Sequence, residues 1–186
     1  MKTIGVLAVQ GAYQKHADSI VKVGCKVKYV KTASDLDQCD RLILPGGEST
    51  TIINLLNKHK LFIPLKEFAQ YKPILGTCAG LILMAEKQDD FDTLNILSVT
   101  VKRNSYGRQL DSFSTNINCS FKATKSNLPV FFIRAPEIIS INSNKVQVIS
   151  TYRGSPILVQ QGRHLGMTFH PELTNNTKVL EYFLSL

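Results

Sequence analysis

The chain has 186 residues, 44% hydrophobic and 19% charged, a size that suits one domain burying about 70% of its unfolded surface and excludes a disulfide-stapled miniprotein or a disordered tail. Its formal charge is +8, of which residues 1–93 carry +2 and residues 94–186 carry +6, with no basic run longer than two, 8% aromatics and no Trp; that pattern argues against a nucleic-acid partner. The four cysteines (Cys25, Cys39, Cys78, Cys119) form no CxxC pair, the opening apolar run is too short for a signal peptide, and no stretch nears the roughly 18 residues of a membrane span, so we expect a cytoplasmic chain with reduced thiols, no membrane partner and no metal.

Short apolar runs alternate with amphipathic stretches along the first half. Residues 4–9 read as a strand and 12–23 as a helix, with Ala12, Ala17, Ile20 and Val21 apolar and Gly24 as the stop. Residues 26–31 alternate as a strand nearer an edge, and 41–44 form a third strand. Ser49 or Thr50 can cap a helix through residue 57, residues 61–71 give another helix, and 73–75 form a fourth strand running into a glycine-flanked turn and a further helical pattern over 81–86. This alternation predicts an α/β, doubly wound, mostly parallel sheet flanked by helices. The second half reads as strands at 94–101, 114–121, 130–134, 146–151, 157–160 and 165–169, predicting added antiparallel strands, with a closing helix over 174–186. No linker or repeat interrupts the chain, so residues 1–186 are read as a single domain.

The segment Gly76-Thr77-Cys78-Ala79-Gly80 follows a strand and precedes a helix. It is the cysteine counterpart of the G-x-S-x-G elbow, in which a sharp turn lifts a nucleophile above the sheet at a helix amino terminus, where aligned peptide dipoles favour negative charge. The competing reading is a small buried hydrophobe in a turn. A nucleophile needs a base. Of the four histidines, His16 sits on a predicted surface helix, His59 between helices, and both, like His164, read as solvated side chains. His170 stands in Phe169-His170-Pro171-Glu172 after a strand-like run, where Pro171 favours extended geometry and Glu172, two residues on, can orient the imidazole. The Ala79 N–H is one candidate oxyanion donor, and Pro45-Gly46-Gly47-Glu48, after a buried strand, can supply a second on the face where open α/β sheets take ligands.

Together these segments resemble the class I (triad) glutamine amidotransferases. Four further segments, Gln10-Gly11-Ala12, Gly46-Gly47-Glu48-Ser49-Thr50-Thr51, Arg103-Asn104-Ser105-Tyr106-Gly107-Arg108-Gln109 and Phe132-Ile133-Arg134-Ala135-Pro136, narrow the resemblance to the glutaminase subunits of pyridoxal 5'-phosphate synthases. The resemblance implies a flavodoxin-like glutaminase domain that hydrolyses L-glutamine to L-glutamate and ammonia without a cofactor. It implies Cys78 as nucleophile, His170 as proton carrier and Glu172 as its orienting carboxylate, with the amides of Gly47 and Ala79 as oxyanion donors. It further implies that Gly46, Gly47, Glu48, Arg103, Ile133 and Arg134 bind glutamine, and that ammonia passes to a (β/α)8-barrel synthase subunit. A guanidinium can hold the α-carboxylate and Glu48 can meet the α-ammonium, without saying which arginine does which. Tyr106 and Asn175-Asn176 depart from the family's usual residues and touch the partner-facing charge rather than the triad. The alternatives are a cysteine hydrolase of peptidase or deglycase type on a similar sheet, and an inactive regulatory relative.

Overall fold

The central strands of the sheet are the runs with no polar face. In the computed structural model, which describes residues 1–86, 92–103, 112–121 and 124–186, β3 (Arg41–Leu44) and β4 (Ile74–Thr77) are buried at every position, as strands covered on both faces must be. The other elements of the first half are β1 (Thr3–Leu7), α1 (Tyr13–Lys22), β2 (Lys26–Val30), α2 (Ala33–Asp37), α3 (Ser49–Lys58), α4 (Phe62–Tyr71) and α5 (Ala79–Met84). Strands β5 (Val99–Lys102), β6 (Ser112–Phe121), β7 (Thr124–Ile133), β8 (Glu137–Ile141), β9 (Gln147–Tyr152), β10 (Ser155–Gln161) and β11 (His164–Met167) follow, then a 3-10 turn at Pro171–Leu173 and α6 (Lys178–Ser185).

The main sheet runs β2-β1-β3-β4-β11-β10-β9. The first five strands are mutually parallel, in the doubly wound order expected of this class, and β10 and β9 extend the sheet antiparallel. Side chains alternate across it: Leu42 and Leu44 join a core with Leu7, Ile52 and Leu81, whereas Ile43 packs on the other face with Ile20, Leu165, Phe169 and Phe183. Each such fully buried aliphatic side chain contributes about 1.5–3 kcal/mol.

The β6–β7 hairpin lies over the second face. Its buried positions alternate (Ile117, Cys119 and Phe121; Leu128, Val130 and Phe132), and Phe132 stacks on Phe113 with ring centroids 4.7 Å apart and meets Phe169 edge-on at 5.9 Å. That aromatic packing is worth about 1 kcal/mol per pair beyond burial, and it seats the end of β7 beside the chain leaving β11.

Several expectations are corrected. Helix α2 was not foreseen, although Thr32 and Asp35 form a reciprocal capping box around it. Strand β8 was also missed, and the strand expected over 94–101 is regular only from Val99. The cap of α3 is Glu48, and neither Ser49 nor Thr50 makes a side-chain cap bond. The last helix starts at Lys178 rather than 174, because Pro171 opens a separate 3-10 turn. Of the segment from Arg103 to Gln109, residues 104–109, including Arg108, lie outside the described residues. Among the described residues, no helix is long and apolar enough to cross a membrane.

Candidate active site

Cys78 follows β4 with φ 50° and ψ −104° and heads α5. A side chain at positive φ outside the usual left-handed well costs on the order of 1–3 kcal/mol, so the surrounding structure must hold it. The two flanking glycines let it do so. A Cβ on Gly80 would overlap the Leu44 carbonyl, and one on Gly76 would lie 2.5 Å from Met84 Sδ and 2.7 Å from the Gly80 carbonyl. Only backbone without side chains can therefore close this strand-to-helix turn.

The neighbouring strand delivers the histidine. Met167 of β11 pairs with Thr77 of β4, and the Cys78 N–H donates to the Met167 carbonyl at 2.9 Å. Three residues on, the His170 N–H donates to the Phe131 carbonyl of β7 at 2.8 Å, so the hairpin holds the histidine backbone. The 3-10 turn from Pro171 then brings Glu172 Oε1 to 2.7 Å from His170 Nδ1. This corrects the expectation of an extended His-Pro-Glu segment: a turn, not strand alternation, aims both side chains together.

Cys78, His170 and Glu172 are 7%, 7% and 6% exposed. Burial pulls the His170 pKa down, but hydrogen bonds to Cys78 and Glu172 outweigh it and raise it to about 10. With Nδ1 taken by the carboxylate, Nε2 is the nitrogen left for the thiol. Burial would raise the Glu172 pKa, yet His16 and His170 bring it below the ordinary carboxylate value. Sγ of Cys78 also lies 3.9 Å from the Ile133 carbonyl oxygen.

An open cavity of about 550 Å³ sits over these groups, lined by Gly46, Gly47, Glu48, Thr50, Cys78, Arg103, Ile133, Arg134 and His170 among others. That is ample for one amino acid. Gly46 abuts His170: a Cβ there would overlap His170 Cε1. The Gly46 carbonyl accepts the Ala12 N–H at 3.0 Å, and Gln10 Oε1 accepts the Glu48 N–H at 3.1 Å, which fastens the glycine loop to the start of α1. Arg103 donates Nη1 to Thr50 Oγ1 at 3.4 Å, and Arg134, at φ 42°, is exposed after β7. Of the residues given site roles by the resemblance, Gly46, Gly47, Glu48, Cys78, Arg103, Ile133, Arg134 and His170 line this one cavity, and Ala79 and Glu172 are not among its lining residues. Among the described residues, no group of three or more His, Cys, Asp or Glu side chains is arranged to hold a metal ion.

Two histidines depart from expectation. His16 is not solvated: it is 3% exposed, with Nε2 3.2 Å from Thr77 Oγ1 and 3.5 Å from Glu172 Oε1. A signal for it exists, since His16, Ala17 and Ile20 fall at helical spacing on the inward stripe of α1. His164 accepts the Ile74 N–H at 3.2 Å and is partly buried at the opposite end of β11. His59 is exposed.

A family profile described as SNO glutamine amidotransferase matches residues 6–186. The chain belongs to the SNO glutamine amidotransferase family. Within that family it is 48% identical, over 98% of its length and 98% of theirs, to proteins named pyridoxal 5'-phosphate synthase subunit PdxT from Francisella tularensis subsp. holarctica and subsp. novicida. It is similar to a crystal structure described as a glutamine amidotransferase, with TM-score 0.91 and 33% identity over 98% of this chain and 97% of that one. The structure of PurLQS from Thermotoga maritima, at TM-score 0.75 and 18% identity over 100% and 99% of the two chains, shares the fold. This SNO family member therefore carries its cavity at the carboxyl ends of β3, β4 and β11, where a doubly wound sheet takes ligands.

Proposed function

We propose that the chain acts as a single glutaminase domain, residues 1–186, that hydrolyses L-glutamine to L-glutamate and ammonia and passes the ammonia to a pyridoxal 5'-phosphate synthase subunit, a (β/α)8 barrel by the resemblance. The observation that carries the reading is the pairing of an elbow cysteine with a buried His170 whose other nitrogen holds Glu172 at 2.7 Å. His170, whose raised pKa of about 10 favours the imidazolium, holds the proton of the Cys78 thiol as Sγ attacks the side-chain amide carbon of glutamine. The tetrahedral oxyanion is met by the N–H groups of Gly47 and Ala79, each worth about 3 kcal/mol in the transition state. As the C–N bond breaks, His170 returns the proton to nitrogen and ammonia leaves a glutamyl thioester. Water, its proton taken by His170, attacks the thioester through a second tetrahedral species, and glutamate departs as the thiol is regenerated. Throughout, Glu172 keeps the ring oriented and stabilises the imidazolium.

The cavity rim suits a free amino acid. Glu48 is a carboxylate for the α-ammonium, and Arg103 and Arg134 are guanidiniums for the α-carboxylate, with Gly46, Gly47 and Ile133 shaping the wall. No cofactor has a part in these steps.

The test is glutamine hydrolysis with and without the synthase subunit, followed by labelling with a glutamine-analogue electrophile such as acivicin. We expect the partner to raise turnover severalfold and the label to fall on Cys78. Burial pushes the thiols of Cys39 and Cys119 up to about 11, which leaves them protonated and unreactive. No glutamine turnover in the complex, or labelling of Cys25, Cys39 or Cys119 in place of Cys78, would overturn the reading.

A further inference from the structure

We propose that His16 of α1 is a positioning residue for this reaction, a third side chain that holds the Glu172 carboxylate against His170 and ties it to the strand ending in Cys78. The proposal rests on the Cys78–His170–Glu172 reading above.

The geometry is a small network at the back of the cavity. Glu172 Oε1 is faced by His170 Nδ1 at 2.7 Å and by His16 Nε2 at 3.5 Å, and the same Nε2 lies 3.2 Å from the hydroxyl of Thr77, the residue before the nucleophile. Glu172 Oε2 is buried without a hydrogen-bond partner, so what the carboxylate gains from neighbouring side chains it gains largely at Oε1. A buried carboxylate supported at one oxygen depends strongly on each group facing it.

Packing alone is a poor reason for a histidine here. The inward stripe of α1 is otherwise Ala17 and Ile20, and an aliphatic side chain would fill the space without desolvating an imidazole. Burial lowers the His16 pKa, opposed by Glu172 and reinforced by His170, so His16 is neutral at pH 7, with Nε2 hydrogen-bonded to the Thr77 hydroxyl and set 3.5 Å from Glu172 Oε1. The titratable groups facing this network are His170 and Glu172 themselves, with Cys78 beyond His170. The residues from α1, β3, β4 and α6 around the gap of about 20 Å³ behind the carboxylate carry no charge. A neutral imidazole serves the proton carrier better than a charged one, because a second imidazolium would repel the charge that His170 carries in each cycle.

The experiment compares wild type, His16→Leu, His16→Asn and His16→Gln, each assembled with the synthase subunit. Wild-type turnover comes first: none at all defeats the glutaminase reading and not the role of His16. Given turnover, His16→Leu should lower kcat by about tenfold and leave KM within about twofold. It should also move the acid limb of the kcat/KM profile to higher pH, since Glu172 without the His16 imidazole beside it takes a proton more readily. His16→Gln, whose amide nitrogen can reach where Nε2 sits, should recover most of the rate and return the limb; His16→Asn, too short, should behave like His16→Leu. The Asn–Gln comparison carries the test if His16→Leu does not fold. A wild-type acid limb and rate in His16→Leu or His16→Asn, or an equal loss in all variants with the limb unmoved, would overturn the proposal and leave His16 a packing residue.

Discussion

His164 opens β11 and His170 stands just past its other end, so one strand carries the same residue at opposite edges of the parallel sheet. At the amino-terminal edge, burial and the nearby Arg163 drive the His164 pKa down to about 4 while its ring accepts the Ile74 N–H. At the carboxyl edge, burial acts in the same direction on His170, but Cys78 and Glu172 reverse it and the pKa rises to about 10. The surroundings differ in kind. Cations at the amino edge spend their donors on backbone carbonyls: Lys2 and Arg41 on that of Leu184, Lys72 on that of Cys39. At the carboxyl edge the strand ends open into a cavity, and the polar groups face one another. A histidine's burial therefore says little about its role; the charge of what it touches decides whether it is scaffold or proton carrier.

The sharpest way to break the contrast is to remove the acid partner of His170. Cys78→Ala should reduce glutamine hydrolysis by about 10³-fold or more while circular dichroism and synthase binding stay intact; unchanged activity would end the nucleophile assignment. Because position 78 has φ 50°, Cys78→Gly should be more stable than Cys78→Ala by about 1 kcal/mol in denaturant unfolding.

Removing the carboxylate proposed to orient His170 comes next. Glu172→Gln keeps shape but not charge, and should lower kcat by about 10²-fold. The His170 pKa should fall at the same time, since one of the groups that raises it is gone; NMR titration of the ring reads this directly. A variant with wild-type kcat would leave Glu172 no orienting role.

The smallest effect belongs to the amino edge. The His164 pKa is depressed in the folded chain from 6.5 to about 4, so the unfolded chain binds the extra proton between those values. The stability that neutral His164 contributes is present above pH 6.5 and lost as pH falls towards 4. His164→Gln should flatten that part of the Tm–pH curve relative to wild type and leave glutamine turnover at neutral pH unaltered. Parallel curves for the two proteins would remove the contrast between the two edges.

Much of this was legible from residue order because the signals are local. The runs around Ile4, Leu42 and Ile74 read as strands since strands buried on both faces have no polar positions, and Gly76-Thr77-Cys78-Ala79-Gly80 announces a tight strand-to-helix turn because only glycine tolerates the backbone approaches at residues 76 and 80. The capping box at Thr32 and the helical spacing of His16 with Ile20 are also present in the residue order, but α2 spans only five residues and a histidine on a helix reads as solvated unless its neighbours are known.

What residue order determined, then, was the doubly wound class, from the alternation along the first half, and the elbow around Cys78 and the nearness of His170 to Glu172, each of these two written within a few consecutive residues. Only the tertiary structure decided that β11 lies beside β4, that the Phe131 carbonyl steadies His170, and that His16 reaches the Glu172 carboxylate. Those contacts join residues far apart in the chain, and their geometry follows from which strands pair and which faces pack, which no local pattern encodes.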